Sequence, residues 1–153
     1  MNELDLSFVA QAVEKIGTQK EKVLELLQAI QAHYGYLPAE ALERLCELTQ
    51  ISPASVSGVS SFYDMFRHQP AGRYTINVCV GTACHVKGGE RVYDAFIRYL
   101  NIPAGLDTDA QRQFTVAKIA CLGCCTLAPA VQIEHVTYGH LTAETVPDVI
   151  NDF

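Results

Sequence analysis

The sequence predicts an α/β protein in two parts, a helical bundle over residues 1–70 followed by a mixed-sheet domain over residues 71–153. Three observations carry that prediction. Apolar residues recur at helical spacing throughout the first part, and no alternating pattern interrupts them. Tyr74, Ile76, Val78 and Val80 then alternate with Thr75, Asn77 and Cys79, as the residues of a half-buried strand do. Finally, two close cysteine pairs, Cys79-Val-Gly-Thr-Ala-Cys84 and Cys121-Leu-Gly-Cys-Cys125, each end a strand-like run in a turn of small residues.

The elements follow in order. A first helix runs from about Leu6 to Ile16 and ends at Gly17. Val23, Leu27 and Ile30, widened by Leu24, mark a second helix, and Leu42, Leu45 and Cys46 mark a third after the break at Gly35-Tyr-Leu-Pro38. Ser52-Pro53 starts a fourth, because a serine oxygen can accept a free amide and proline fits the first turn. Val56, Val59, Phe62, Tyr63 and Phe66 form its apolar face. After the turn Gln69-Pro-Ala-Gly72 come the strand ending at Cys79, a helix with Val92, Phe96 and Tyr99 on one face, and a strand over Phe114 to Ala120. Ala130 to Val136 and Thr137 to Leu141 read as a hairpin turning near Tyr138-Gly139, and Thr142 caps a last helix burying Val146, Val149, Ile150 and Phe153.

The second part is therefore ordered βαβ-ββα. Its first unit requires parallel strands joined by a right-handed crossover, which is the thioredoxin-like order. That topology puts both cysteine pairs just beyond the carboxyl ends of the two crossover strands, on one edge of the sheet.

Composition narrows the function classes. With 153 residues and 49% hydrophobic content, a real core can form without disulfides. The start Met1-Asn-Glu-Leu-Asp-Leu has neither a basic region nor a following apolar run, which argues against export. No apolar stretch approaches the roughly twenty residues of a membrane span, so the sequence predicts a soluble, cytoplasmic protein whose thiols stay reduced or metal-bound. A formal charge of −6, with its Lys and Arg scattered, excludes nucleic acid as a natural partner.

Three chemistries could use the thiols. A structural zinc site accepts four thiolates, but its cysteines usually lie two to four residues apart in tight turns. Cys121-Leu-Gly-Cys124 formally matches the C-x-x-C of a dithiol redox site, yet it follows the second strand, whereas redox motifs open the first crossover helix. A 2Fe-2S cluster needs four thiolates from two loops with amide donors around its sulfurs. Both loops qualify, since Gly81, Thr82 and Ala83 permit inward-pointing amides and Gly123 serves the second loop. A Rieske variant would need two histidines, and only His85 adjoins a candidate ligand. On spacing alone, Cys124 leaves the fourth ligand open.

Four segments then carry a family resemblance: Tyr34-Gly-Tyr-Leu-Pro38, Ser61-Phe-Tyr63, Cys79 to Gly88, and Cys121-Leu-Gly-Cys-Cys125-Thr-Leu-Ala-Pro129. Together they resemble the thioredoxin-like 2Fe-2S subunit of complex I, a family that includes gamma subunits of NAD-linked formate dehydrogenases and small subunits of NAD-linked hydrogenases. The resemblance covers nearly the whole chain. It implies one 2Fe-2S cluster held by Cys79, Cys84, Cys121 and Cys125, in a thioredoxin-like ferredoxin domain. It also implies a partner flavoprotein that carries FMN, the NAD(H) site and a further iron-sulfur cluster. Three positions depart from the family pattern: Cys124 where a small residue such as Ala is common, Ser57 where an aromatic is frequent, and Ala120 where an acid often stands. Losing a carboxylate beside a cluster implies a less negative reduction potential.

No G-x-G-x-x-G, P-loop or flavin motif occurs, so the chain is expected to have no nucleotide or substrate site of its own. Its expected function is that of an electron-transfer subunit in an NAD(P)-linked oxidoreductase or hydrogenase. A free-standing dimeric ferredoxin is the alternative, and a zinc-stabilised interaction module a third. The histidines 33, 68, 85, 135 and 140 stand singly and are not promoted as ligands. Lys87 with Gly88-Gly89 reads as the opening of a helix, and Cys46 reads as a small hydrophobe on an apolar face.

Overall fold

The structure is a computed structural model that describes residues 4–153. It divides into two compact units, Met1–Pro70 and Ala71–Phe153. In the first, four helices appear where the apolar period places them: α1 (Ser7–Ile16), α2 (Val23–Tyr34), α3 (Ala39–Leu48) and α4 (Pro53–Phe62). A short 3-10 turn, Lys20–Lys22, leads into α2. The Ser52 hydroxyl accepts the Ser55 amide at 3.2 Å, so the predicted cap of α4 forms. Val9, Leu26, Leu27, Ile30, Leu37 and Leu45 are fully buried at the centre of this unit.

Two expectations for the bundle need correction. On α3 the buried residues are Ala41 and Leu45, while Leu42 and Cys46 are half-buried and line a groove with Pro53 and Val56 of α4. The aromatic face assigned to α4 does not extend through Tyr63 and Phe66. The helix stops at Phe62, which is 76% exposed, and the chain turns so that only Phe66 enters the core. Gln31 fixes that turn: its amide nitrogen donates to the Met65 carbonyl at 2.6 Å and its oxygen accepts the Arg67 amide at 2.7 Å.

The second unit is α/β, as predicted. β1 (Tyr74–Cys79) leads through a short α5 (Thr82–Val86) to α6 (Gly89–Tyr99), and β2 (Phe114–Ile119) follows. β3 (Val131–Ile133) and β4 (Val136–Tyr138) precede α7 (Val146–Asn151). The sheet order is β2-β1-β3-β4, with β1 and β2 parallel and the other pairs antiparallel. Ile76, Val78, Phe96, Val131, Ile133 and Val146 form the core of this unit. The buried Asp109 carboxylate accepts the Phe114 and Gln111 amides at 2.6 and 3.2 Å, which fixes the entry to β2 and leaves Asp109 a structural role.

Here too, details differ from the sequence-based expectation. The hairpin turns at Glu134-His135, because Ile133 pairs with Val136, and not at Tyr138-Gly139. Gly139 serves a close approach instead: a Cβ there would lie 2.7 Å from the Leu127 Cβ. The N-cap position of the last helix is Thr145 and not Thr142, with no side-chain cap bond; the Thr145 hydroxyl instead accepts the Thr142 amide and donates to its carbonyl, and Phe153 remains 40% exposed. Tyr99, placed on the apolar face of α6, is 44% exposed.

Candidate metal centre

The parallel register sets the site. Cys79 lies opposite Ile119 as the last rung of the β1–β2 ladder, so both strands end together and release their loops at one edge of the sheet. The first loop bends at Gly81 and enters α5, a helical turn that carries Cys84, where the sequence suggests only a turn. The second loop runs from Ala120 to a 3-10 turn at Cys125–Leu127, and the peptide bond before Pro129 is cis. Where the loops meet there is no room for a side chain. A Cβ on Gly81 would lie 2.5 Å from the Ala120 carbonyl oxygen and 3.6 Å from the Cys79 sulfur.

Cys79, Cys84, Cys121 and Cys125 all line one cavity of about 600 Å³ between these loops. Gly81, Thr82, Ala83, Val86, Lys87 and Ala120 complete its wall. Cys79 and Cys84 are buried, whereas Cys121 and Cys125 are exposed, so the cavity has a protein side and a solvent side. Cys124 does not line it. The Cys124 thiol donates to the Leu122 carbonyl at 3.6 Å and packs beside Leu122 against a small apolar cluster of Cys79, Cys84, Ala128 and Ala130.

Amide donors converge on the sulfurs. Burial raises the Cys79 thiol, but the Gly81 and Leu122 amides and the neighbouring Cys84 and Cys121 thiols outweigh it and hold Cys79 below its ordinary value. Leu122 belongs to the other loop, so its amide acts on Cys79 from across the cavity. Cys84 moves the opposite way, pushed up by burial and by the nearby Cys79 and Cys125 sulfurs, although the Ala130 amide acts against the rise. The Gly123 amide donates to the Cys121 sulfur at 3.2 Å. Among the described residues, no three Cys, His, Asp or Glu side chains close on a point where a single metal ion would sit. Two of the histidines are engaged elsewhere: His33 stacks on Phe8 with ring centres 3.9 Å apart, and His68 meets the Ser60 carbonyl at 3.3 Å.

Residues 9–153 match the family described as thioredoxin-like 2Fe-2S ferredoxin. The chain belongs to that family. It is 34% identical over 145 residues to the NADP-reducing hydrogenase subunit HndA of Solidesulfovibrio fructosivorans, covering 95% of this chain and 84% of that one. It is 32% identical over 130 residues to a subunit of the NADH-quinone oxidoreductase of Escherichia coli (strain K12), covering 85% and 78% of the two chains. A crystal structure of NAD+-reducing NiFe-hydrogenase in the air-oxidized state superposes with a TM-score of 0.60 at 24% identity. That likeness is one of fold; it covers 86% of this ferredoxin-like chain but only 22% of the other.

The family implies a 2Fe-2S cluster, and the residues present fit one. Four thiols with no histidine among them are the donor set that iron and sulfide take, and backbone amides already point at the sulfurs. The missing side chain at Gly81 lets the two loops meet at the cavity's edge. Among the described residues no helix is long and apolar enough to cross a membrane.

Proposed function

We propose that this chain is the electron-transfer subunit of an NAD(P)-linked oxidoreductase of the complex I, formate dehydrogenase or hydrogenase type, with one 2Fe-2S cluster held by Cys79, Cys84, Cys121 and Cys125. The observation that carries the reading is the cavity itself, where two parallel-strand loops bring these four thiols, and not Cys124, to a common wall. The relatives' names, one from a hydrogenase and one from an NADH-quinone oxidoreductase, support the type of assembly.

When bound, the cluster supplies a site that accepts and gives up one electron at a time. The chain's residues do the rest. Cys79 and Cys84 would anchor the protein side from a strand end and a helical turn, and Cys121 and Cys125 would hold the solvent side from the second loop. The Gly81, Leu122, Gly123 and Ala130 amides stabilise negative charge on the sulfurs. A partner approaching this edge meets exposed residues of both loops, Val86 of the first and Cys121 and Cys125 of the second. Because NADH gives two electrons, that partner would be a flavoprotein with FMN, the NAD(H) site and a further cluster, and no such sites are expected on this chain.

Anaerobic purification tests the reading. About two irons and two acid-labile sulfides per chain are expected, with an EPR signal after dithionite reduction. Ser replacement of any of the four cysteines should lower the iron content or alter the spectrum. Purification from native extract should bring a flavin-containing protein with the chain. A colourless protein that binds zinc would overturn the cofactor, and a flavin-free homodimer from native extract would overturn the assembly in favour of a free-standing ferredoxin.

A further inference from the structure

Among the described residues, Lys87 is the one positively charged residue that lines the four-thiol cavity, at its exposed margin, and no carboxylate residue lines it. Its backbone is fixed, because its amide closes α5 on the Ala83 carbonyl at 3.2 Å, about one helical turn beyond Cys84 and on the same wall. Lys87 makes no ion pair among the described residues. Lys118 offers the contrast: its ammonium pairs with the Glu90 carboxylate and sits 4.5 Å from the Tyr93 ring centre. The carboxylate that shares a cavity with Lys87 is Glu144, in a smaller neighbouring space of about 240 Å³ that Arg91 also lines. Glu144 there accepts the Thr142 hydroxyl at 3.2 Å.

From this arrangement we propose that Lys87 is a positioning residue for charge, raising the reduction potential of the group held by Cys79, Cys84, Cys121 and Cys125. The proposal rests on the reading of those four cysteines as cluster ligands. Four thiolates around two irons and two sulfides carry net negative charge, and reduction adds one more. A cation on the wall attracts the reduced form more strongly than the oxidised form, so its presence moves the potential upward. Ala120, on the opposite loop of the same cavity, adds no opposing charge. The interaction crosses a cavity with a solvent side, so salt screens it.

The test is a redox titration of the full chain, followed by EPR at low ionic strength, on the wild type and on Lys87→Arg, Lys87→Gln and Lys87→Glu. Arg73→Gln, at the far end of β1 from Cys79, is the control for net charge. Lys87→Gln should move the midpoint downward, Lys87→Glu should move it about twice as far, and Lys87→Arg should keep the wild-type value. Added salt should shrink the differences, and Arg73→Gln should leave the midpoint in place. Iron and sulfide counts on each protein separate the two levels of the claim. Wild-type protein lacking both overturns the ligand reading and the role of Lys87 with it. Clusters present in wild type and Lys87→Gln at one common midpoint overturn the role of Lys87 alone, as does an Arg73→Gln shift equal to that of Lys87→Gln. Should Lys87→Glu fail to hold a cluster, the Lys87→Gln midpoint decides.

Discussion

Cys124 shows what spacing can and cannot say at the scale of one residue. In the sequence, Cys121, Cys124 and Cys125 are three thiols within five residues, and nothing local distinguishes the middle one. In the fold, the loop carries Cys121 and Cys125 to the cavity wall and turns Cys124 toward Leu122 and the apolar residues behind it. We therefore expect Cys124→Ala to keep its iron, sulfide and visible spectrum, while Cys125→Ala loses or alters them. An iron-free Cys124→Ala beside an intact Cys125→Ala would show that the fourth ligand had been assigned to the wrong thiol. The departures at Ser57 and Ala120 differ in kind. Ala120 lines the cavity, where an acid would alter its charge, whereas Ser57 faces the groove between α3 and α4, and nothing in the structure explains it.

Whole elements are legible in the sequence wherever one physical signal dominates. Apolar periodicity locates α1 to α4, α6 and α7, alternation locates β1, and the second cysteine pair marks the end of β2. Legibility fails where a residue type has two uses. Glycine marks turns, so Gly139 draws the expected hairpin turn toward itself, although its small size serves the approach of Leu127. Aromatic residues at helical spacing imply a buried face, yet Phe62 lies outside the core because α4 ends there and the Gln31 bonds redirect the chain. Helix α5 escapes notice because a single short turn shows no period. The contact between the two loops yields a prediction at this scale. Gly81→Ala forces a methyl group against the Ala120 carbonyl, a clash with backbone that no rotamer relieves. Overpacking of this kind costs about 1–3 kcal/mol, so the melting temperature should fall and iron should be lost more readily to a chelator. Unchanged melting and unchanged iron retention would show that the loops part without cost.

For the whole molecule, topology is the strongest inference that the sequence supports. Strand order and a crossover rule place two cysteine motifs, separated by some forty residues of chain, on one sheet edge. The cavity's wall and the side to which each thiol belongs depend on tertiary packing, which no local pattern encodes. Each unit has a core of its own, one around Leu26, Leu27 and Leu45, the other around Ile76, Phe96 and Val131.

Cys79 is at once the last rung of the β1–β2 ladder and part of the cavity wall, so one corner of the site is built into the sheet itself. The colour of the bound group then becomes an optical gauge of the sheet. In a denaturant titration, bleaching and loss of the sheet's circular dichroism should follow one curve. Ile76→Ala, which empties a fully buried position on the same strand at a cost of about 2–5 kcal/mol, should shift both to lower denaturant together. Bleaching that runs well ahead of the sheet signal would mean that the loops, and not the ladder, set the lifetime of the site.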